Sequence, residues 1–233
     1  VRSPTKLLDK SGLTDREIQS AWEEAYTRFE TPEEEIKKFV GRLKKLGQHE
    51  WKRDAQIVDI FCGRGNGLCA LESLGFTNLE GVDISAELLA LYQGPAKLYE
   101  ADCRQMPLET ESRDLIIVQG GLHHLPALPD DLDRTLSEVN RILRPGGKFI
   151  LVEPWPTPFL KLIHFLSERN LVKKVSGKFD AFAVMTHYEA TTYFQWLGKS
   201  NDVLMLLEKY FEEAYSAKTL GKLFFIGKKR AAS

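Results

Sequence analysis

From Gln56 onward, short apolar runs alternate with segments whose apolar residues recur at helical spacing. The runs predict strands at Gln56–Phe61, Leu79–Asp83, Ala96–Glu100, Leu115–Gln119, Lys148–Val152, Glu212–Ser216 and Lys222–Gly227. Helices are expected between most of them, at Gly67–Leu74, Ala86–Leu91 and Asp131–Leu143. Ile57-Val58 and Leu115–Val118 are apolar on both faces, as strands between two helix layers must be. The alternation therefore predicts a doubly wound α/β fold, Rossmann-like in its layering. The last two strands lie close together with no helix between them, which predicts an antiparallel hairpin at the end of the sheet.

The flanking segments break this rhythm. Residues Thr14 to Leu46 read as two helices separated at Thr31-Pro32, where Thr31 can cap, Pro32 suits the first turn and Glu33, Glu34 and Glu35 suit the positive end of the dipole. Ile36, Phe39, Val40 and Leu43 form one apolar face, and Lys37, Lys38, Lys44 and Lys45 a solvated one. Between Trp155 and Tyr210, "PFLKLIHFLSE", "HYEATTYFQWLG" and "DVLMLLEKYF" predict three aromatic-rich helices inserted over the carboxyl ends of the strands. The expected organisation is a single domain: a helical cap over 1–50, a ligand-binding core over 51–154, a lid over 155–210 and a closing hairpin over 211–233.

Composition narrows the classes of function. With 233 residues, 43% hydrophobic and 28% charged, the chain has ordinary globular proportions. A net charge of −1 provides no overall field to gather nucleic acid or an anionic membrane. No apolar stretch has the length of a membrane span, and "VRSPTKLLDK" lacks the apolar core of a signal peptide. Cys62, Cys69 and Cys103 are odd in number with no C-x-x-C, which suits free thiols in a reducing cytoplasm.

The candidate chemistry begins at "IVDIFCGRGNGL", which places Asp59 inside a buried strand just before Gly63, Gly65 and Gly67. An unpaired buried carboxylate is costly, so Asp59 implies a cationic partner. The glycines alone are weak evidence, because Gly65, Gly67 and Ala70 also fit the dinucleotide pattern. Asp83, 20 residues after Gly63, can accept both hydroxyls of an adenosine ribose in NAD or in S-adenosyl-L-methionine. Asp59 separates the two: it opposes a pyrophosphate but matches the ammonium and sulfonium of S-adenosyl-L-methionine. Its alternative role is to cap the glycine loop through backbone N–H groups. Further on, Asp102 is placed to accept from an adenine amino group, with Cys103 and Met106 as flanks. Gln119 and Gly120 end the fourth strand beside the first. Gly146 and Gly147 read as a tight turn before the fifth strand.

Taken in order, "VDIFCGRGNG", "GVDIS", "ADCRQMPLETESRDLIIVQGGLHHL" and "LRPGGKFILVEP" resemble the class I S-adenosylmethionine-dependent methyltransferases, and within them the small-molecule group that includes quinone and sterol methylases. The resemblance spans Gln56 to Pro154. It implies a seven-stranded sheet of order 3-2-1-4-5-7-6, with Asp59, Gly63, Gly65 and Gly67 at the methionine end of the cofactor. It further implies Asp83 and Ile84 at the ribose edge, Asp102 and Cys103 at the adenine, Gln119 and Gly120 in the cofactor site with backbone carbonyls towards the ammonium, and the residues after Gln119 near the transferred methyl group. Ser112-Arg113 departs from the family, which often has an aromatic residue there.

Methyl transfer is an in-line displacement in which the protein positions two partners and excludes water. A base is needed when the acceptor must lose a proton. The candidates are His123, His124, His187 and Glu153, with at most one of the adjacent histidines facing the pocket. No cluster with metal-ligand spacing accompanies them. Cys62 lacks the proline-rich partner motif of RNA pyrimidine methylation, since strand four ends "QGGLHHL". Trp155, Phe159, Phe165, Phe182, Tyr188, Tyr193, Phe194 and Trp196 suit an apolar or aromatic acceptor, and Tyr26 and Phe29 a cap over the cofactor. The expected function is methyl transfer from S-adenosyl-L-methionine to a small acceptor. RNA methylation, a non-catalytic cofactor-binding module and an NAD-dependent oxidoreductase are the alternatives.

Overall fold

The computed structural model describes residues 29–167 and 190–230, together with Glu24, Ala181, Val184 and His187. Tyr26, Phe182 and Tyr188, expected among the cap and acceptor aromatics, lie outside the described residues. So does most of the first expected N-terminal helix.

Seven strands form one sheet: β1 (Ile57–Ile60), β2 (Leu79–Asp83), β3 (Lys97–Glu100), β4 (Arg113–Gln119), β5 (Leu143–Pro154), β6 (Phe211–Thr219) and β7 (Lys222–Lys229). Their order is β3-β2-β1-β4-β5-β7-β6. Strands β1 to β5 run parallel, and β7 is antiparallel to both β5 and β6. The described helices are α1 (Pro32–Lys45), α2 (Asn66–Ser73), α3 (Ala86–Leu89), α4 (Asp130–Ile142), α5 (Pro158–Ser167), α6 (Ala190–Gly198) and α7 (Ser200–Tyr210).

Strand alternation divides the core between the two faces. Val58, Ile60, Ile116 and Val118 pack with Leu132, Leu136 and Val139 of α4 and with Val203 and Leu207 of α7. Ile57, Leu115 and Ile117 pack with Phe39 and Leu43 of α1 and with Leu68 and Leu71 of α2. Helix α1 starts as its sequence predicts: the Thr31 hydroxyl accepts from the Glu34 N–H, and the Glu34 carboxylate accepts from the Thr31 N–H. Among the described residues no helix is long and apolar enough to cross a membrane.

Three expectations are corrected. The Gly146-Gly147 segment is not a turn ahead of the strand but an irregularity within it. Arg113 pairs with Leu143 and Leu115 with Lys148, so the intervening residues of β5 bulge, with Gly146 at φ +76°. Helix α3 stops at Leu89, short of the expected Leu91. Helix α7 belongs to the framework rather than to a lid. Its Lys209 and Tyr210 both reach Asp133 of α4 (2.7 and 2.8 Å), and the Asn140 side chain donates to the Tyr210 carbonyl (2.9 Å). Arg113 forms a forked ion pair with Glu80 of β2, whose carboxylate also accepts from Tyr99.

Candidate active site

The sheet reverses strand order between β1 and β4, and the crevice at their carboxyl ends is where ligands enter open α/β sheets. The chain leaves β1 through a run of left-handed residues: Phe61 (φ +58°), Gly63 (+51°) and Gly65 (+82°). Phe61 is held there by Gly121 in the loop after β4, where a Cβ would stand 2.4 Å from the Phe61 ring. The two loops bounding the crevice are thus in direct contact.

Asp59 sits below this turn, paired in register with Gly81 and Ile117 and only 4% exposed. A Cβ on Gly67 would lie 2.1 Å from Asp59 Oδ2, so residue 67 must be glycine for the carboxylate to fit. Desolvation raises the Asp59 pKa from 3.8 to about 8, with the charges of Asp83 and Glu35 adding to the rise. Capping of the glycine loop falls to Asp83, not Asp59: Asp83 Oδ2 accepts from the Gly63 N–H (2.8 Å) and Oδ1 from the Ser85 N–H (3.0 Å). Glu35 of α1 accepts from the Asn66 side chain (2.5 Å), bringing a third carboxylate to the loop.

The expected adenine residues divide. Asp102 is half-buried and clasped by Arg104 through the backbone N–H (2.8 Å) and the guanidinium (2.5–3.1 Å), which holds its pKa below the usual value. Arg104 also binds Asp131 (2.8 Å). The Cys103 thiol turns into the core 3.5 Å from the Thr135 hydroxyl, and burial pushes its pKa up to about 11. Met106 is likewise packed in the core. Ile84 is 70% exposed at the end of β2. Gln119 Oε1 is buried and has no hydrogen-bond partner among the described residues, and Gly120 follows at φ +81°.

His123 and His124 lie on a short 3-10 turn, Leu122–His124, with ring centroids 4.1 Å apart. His123 is buried and its Nδ1 is 2.7 Å from Glu153 Oε2. His124 keeps an exposed edge, yet desolvation by the surrounding protein, and next His123, push its pKa well below the usual imidazole value. Both effects favour the neutral ring. Glu153 is fully buried and occupied by three donors, so it is an anchor for the loop rather than a base. His187 is half-buried and helical. Among the aromatics, Tyr193 meets His123 edge-on (5.9 Å) and its hydroxyl bonds His164 Nε2 (3.1 Å). Trp196 is core, its indole N–H donating to the Pro154 carbonyl (2.8 Å), whereas Phe159, Phe165 and Phe194 are exposed. An open cleft of about 450 Å³ between the start of α5 and the β6–β7 turn, lined by Trp155, Phe159, Lys218 and Leu220 among others, contains none of the expected cofactor residues.

The family model described as a methyltransferase domain matches residues 58–151. Over those residues the chain is similar to a methyltransferase domain. Relatives extend the match beyond the domain. A demethylmenaquinone methyltransferase from Chlorobaculum parvum is 25% identical over 60% of this chain and 59% of its own length. One from Staphylococcus aureus is 29% identical over 70% and 68%. The chain thus spans about three-fifths of the first of these relatives. A solved structure from Methanococcus maripaludis covers 98% of this chain and 99% of its own with a TM-score of 0.63 at 13% identity, a likeness of fold.

The cofactor of this methyltransferase class is S-adenosyl-L-methionine, and the residues present fit it. Among the described residues, a buried carboxylate with no cation beside it, a glycine cradle with no room for a Cβ, and an unpartnered amide oxygen at the end of β4 suit a positively charged, phosphate-free ligand. Reasoning from sequence missed the pairing of Glu153 with His123 and the left-handed Phe61. Glu153 carried the same signal as Asp59, an acid within an apolar run. Nothing in the sequence marks a non-glycine positive φ.

Proposed function

We propose that this chain transfers the methyl group of S-adenosyl-L-methionine to a small apolar or aromatic acceptor. The observation carrying the reading is Asp59, buried with no cation beside it among the described residues, beneath a loop shaped around its carboxylate. In this reading Asp59 and Gln119 receive the ammonium end, and Gly63, Gly65 and Gly67 let the ligand approach the backbone. Asp83, already oriented by two N–H groups, has lone pairs left for the ribose hydroxyls. Ile84 offers an apolar surface to the adenosine. Asp102 accepts from the adenine amine while Arg104 fixes its orientation, and any contact from residue 103 comes from its main chain.

The bound cofactor supplies a methyl group already activated on a sulfonium centre. The remaining work of the chain is alignment and exclusion of water. The loop after β4 is rigidly tied, by Phe61 against Gly121 and by Glu153 against two backbone N–H groups, so the acceptor meets a fixed wall. Tyr193, His164 and Phe194 add an aromatic side, in keeping with relatives named for demethylmenaquinone methylation. Calorimetry with S-adenosylhomocysteine, NAD and ATP tests the cofactor. Binding of the first alone is expected, and binding of NAD in its place refutes the reading. Labelled methyl transfer to quinols and phenols, set against structured RNA, tests the acceptor class. Transfer to RNA alone refutes a small acceptor.

A further inference from the structure

Leu220 and Gly221 join β6 to β7 with φ +48° and +76°, conformations that a two-residue hairpin turn gives most readily to Asn-Gly. Leucine at the first position strains the backbone. Its side chain is 71% exposed, so no burial in the core offsets that strain. Gly221 seats the turn on α5, because a Cβ there would stand 3.2 Å from the buried Leu160. Turn and helix therefore form one block.

Other apolar side chains reach the surface of this block. Phe159 of α5 lines the same cleft as Leu220 and is 44% exposed, and Leu162, one helical turn on, is 52% exposed. Lys161 and Lys218 are exposed beside them, with Lys218 Nζ 5.3 Å from the Trp155 ring centroid. Over residues 154–167 and 214–229 the chain has lysines but no Asp or Glu. Glu153 and Glu30, whose charges reach Lys222 at the start of β7, are buried and held by backbone N–H groups and by Lys38. Burial pushes Lys222 itself down to about 7, so it adds little charge.

We propose that Phe159, Leu162 and Leu220, flanked by Lys161 and Lys218, dock the protein on the surface of an anionic lipid bilayer. The apolar side chains enter the acyl boundary and the lysines meet the headgroup phosphates. The net charge of −1 gives the chain as a whole no such attraction, so the local arrangement sets the orientation. Three side chains fall far short of a stable protein interface, whereas a bilayer takes each of them singly. Docking turns the cleft of about 450 Å³ towards the layer in which apolar molecules dissolve. It needs neither cofactor nor acceptor, so it stands or falls apart from the methyltransferase reading.

Sedimentation of the full chain with lipid vesicles tests the docking. Binding is expected to vesicles of phosphatidylcholine and phosphatidylglycerol in equal parts. It should weaken by about tenfold or more with phosphatidylcholine alone, or when salt rises from about 50 to 500 mM. Leu220→Asn suits the left-handed turn, so its Tm should match or exceed the native value while its partition coefficient falls about tenfold. Leu162→Gln repeats that loss from the helix side should the turn variant fail to fold. Lys161→Gln and Lys218→Gln should each lower partitioning about fivefold. Equal binding to neutral and anionic vesicles, or native binding by both leucine variants, overturns the proposal. So does an absence of vesicle binding, whether or not a Leu220-dependent dimer forms in its place.

Discussion

Asp59→Asn should remove a proton linkage from cofactor binding. Burial raises the Asp59 carboxyl from 3.8 to about 8. Each pKa unit corresponds to about 1.4 kcal/mol, so keeping the group ionised with no cation beside it costs roughly 6 kcal/mol. The folded protein holds this proton up to about pH 8, while the unfolded chain releases it near 3.8. Between these values the native state binds more protons, so this group makes stability fall as pH rises from about 4 to 8. A cationic ligand beside the carboxylate reverses the preference and expels the proton. Affinity for S-adenosylhomocysteine should then rise about tenfold per pH unit from pH 6 to 8 and level off above. Calorimetry in buffers of different ionisation enthalpy should register the released proton near pH 7. Titration of the ligand's own amine is common to both proteins and cancels in the comparison with Asp59→Asn. Equal pH slopes in the two proteins, or no proton release by the native one, would refute the reasoning.

Asp83→Ala removes both the loop cap and the expected ribose acceptor, and calorimetry should show S-adenosylhomocysteine binding weakened by about 10–100-fold. Gly67→Ala drives a methyl group into Asp59 Oδ2 and should lower stability by about 1–3 kcal/mol in denaturant melts. Asp59→Ala combined with Gly67→Ala should recover that stability without recovering ligand binding, and full additivity of the two changes would contradict the contact. Trp196→Phe retains most of the apolar volume but orphans the Pro154 carbonyl, which should cost about 1–3 kcal/mol by the same melts.

The sheet was legible because its strands are apolar on both faces and because glycine and aspartate punctuate them. The predicted Leu79–Asp83 coincides with β2, and the order of all seven strands holds. Strand ends were not legible where pairing rather than side-chain pattern decides them. β6 carries a mostly exposed, polar run from Glu212 to Tyr215, and only its ladder with β7 extends it from Phe211 to Thr219. Helix α7 was misplaced for a related reason: an apolar stripe looks the same whether it faces a lid or α4. At the site, carboxylates set in apolar strands could be found, but their partners could not. Asp83 capping the glycine loop, Arg104 clasping Asp102 and Cys103 turning towards Thr135 are choices of side-chain direction made by tertiary neighbours.

The packing of α7 on α4 divides the chain between what must persist and what is free to change. The span from Trp155 to Lys199 is framed at one end by β5 and at the other by a helix of the outer layer, with the Trp196–Pro154 bond drawing its two ends together. Within it, Trp155 and Trp196 are part of the buried core and constrain what can replace them, whereas Phe159, Phe165 and Phe194 face outwards and could be exchanged without touching the strand ladder.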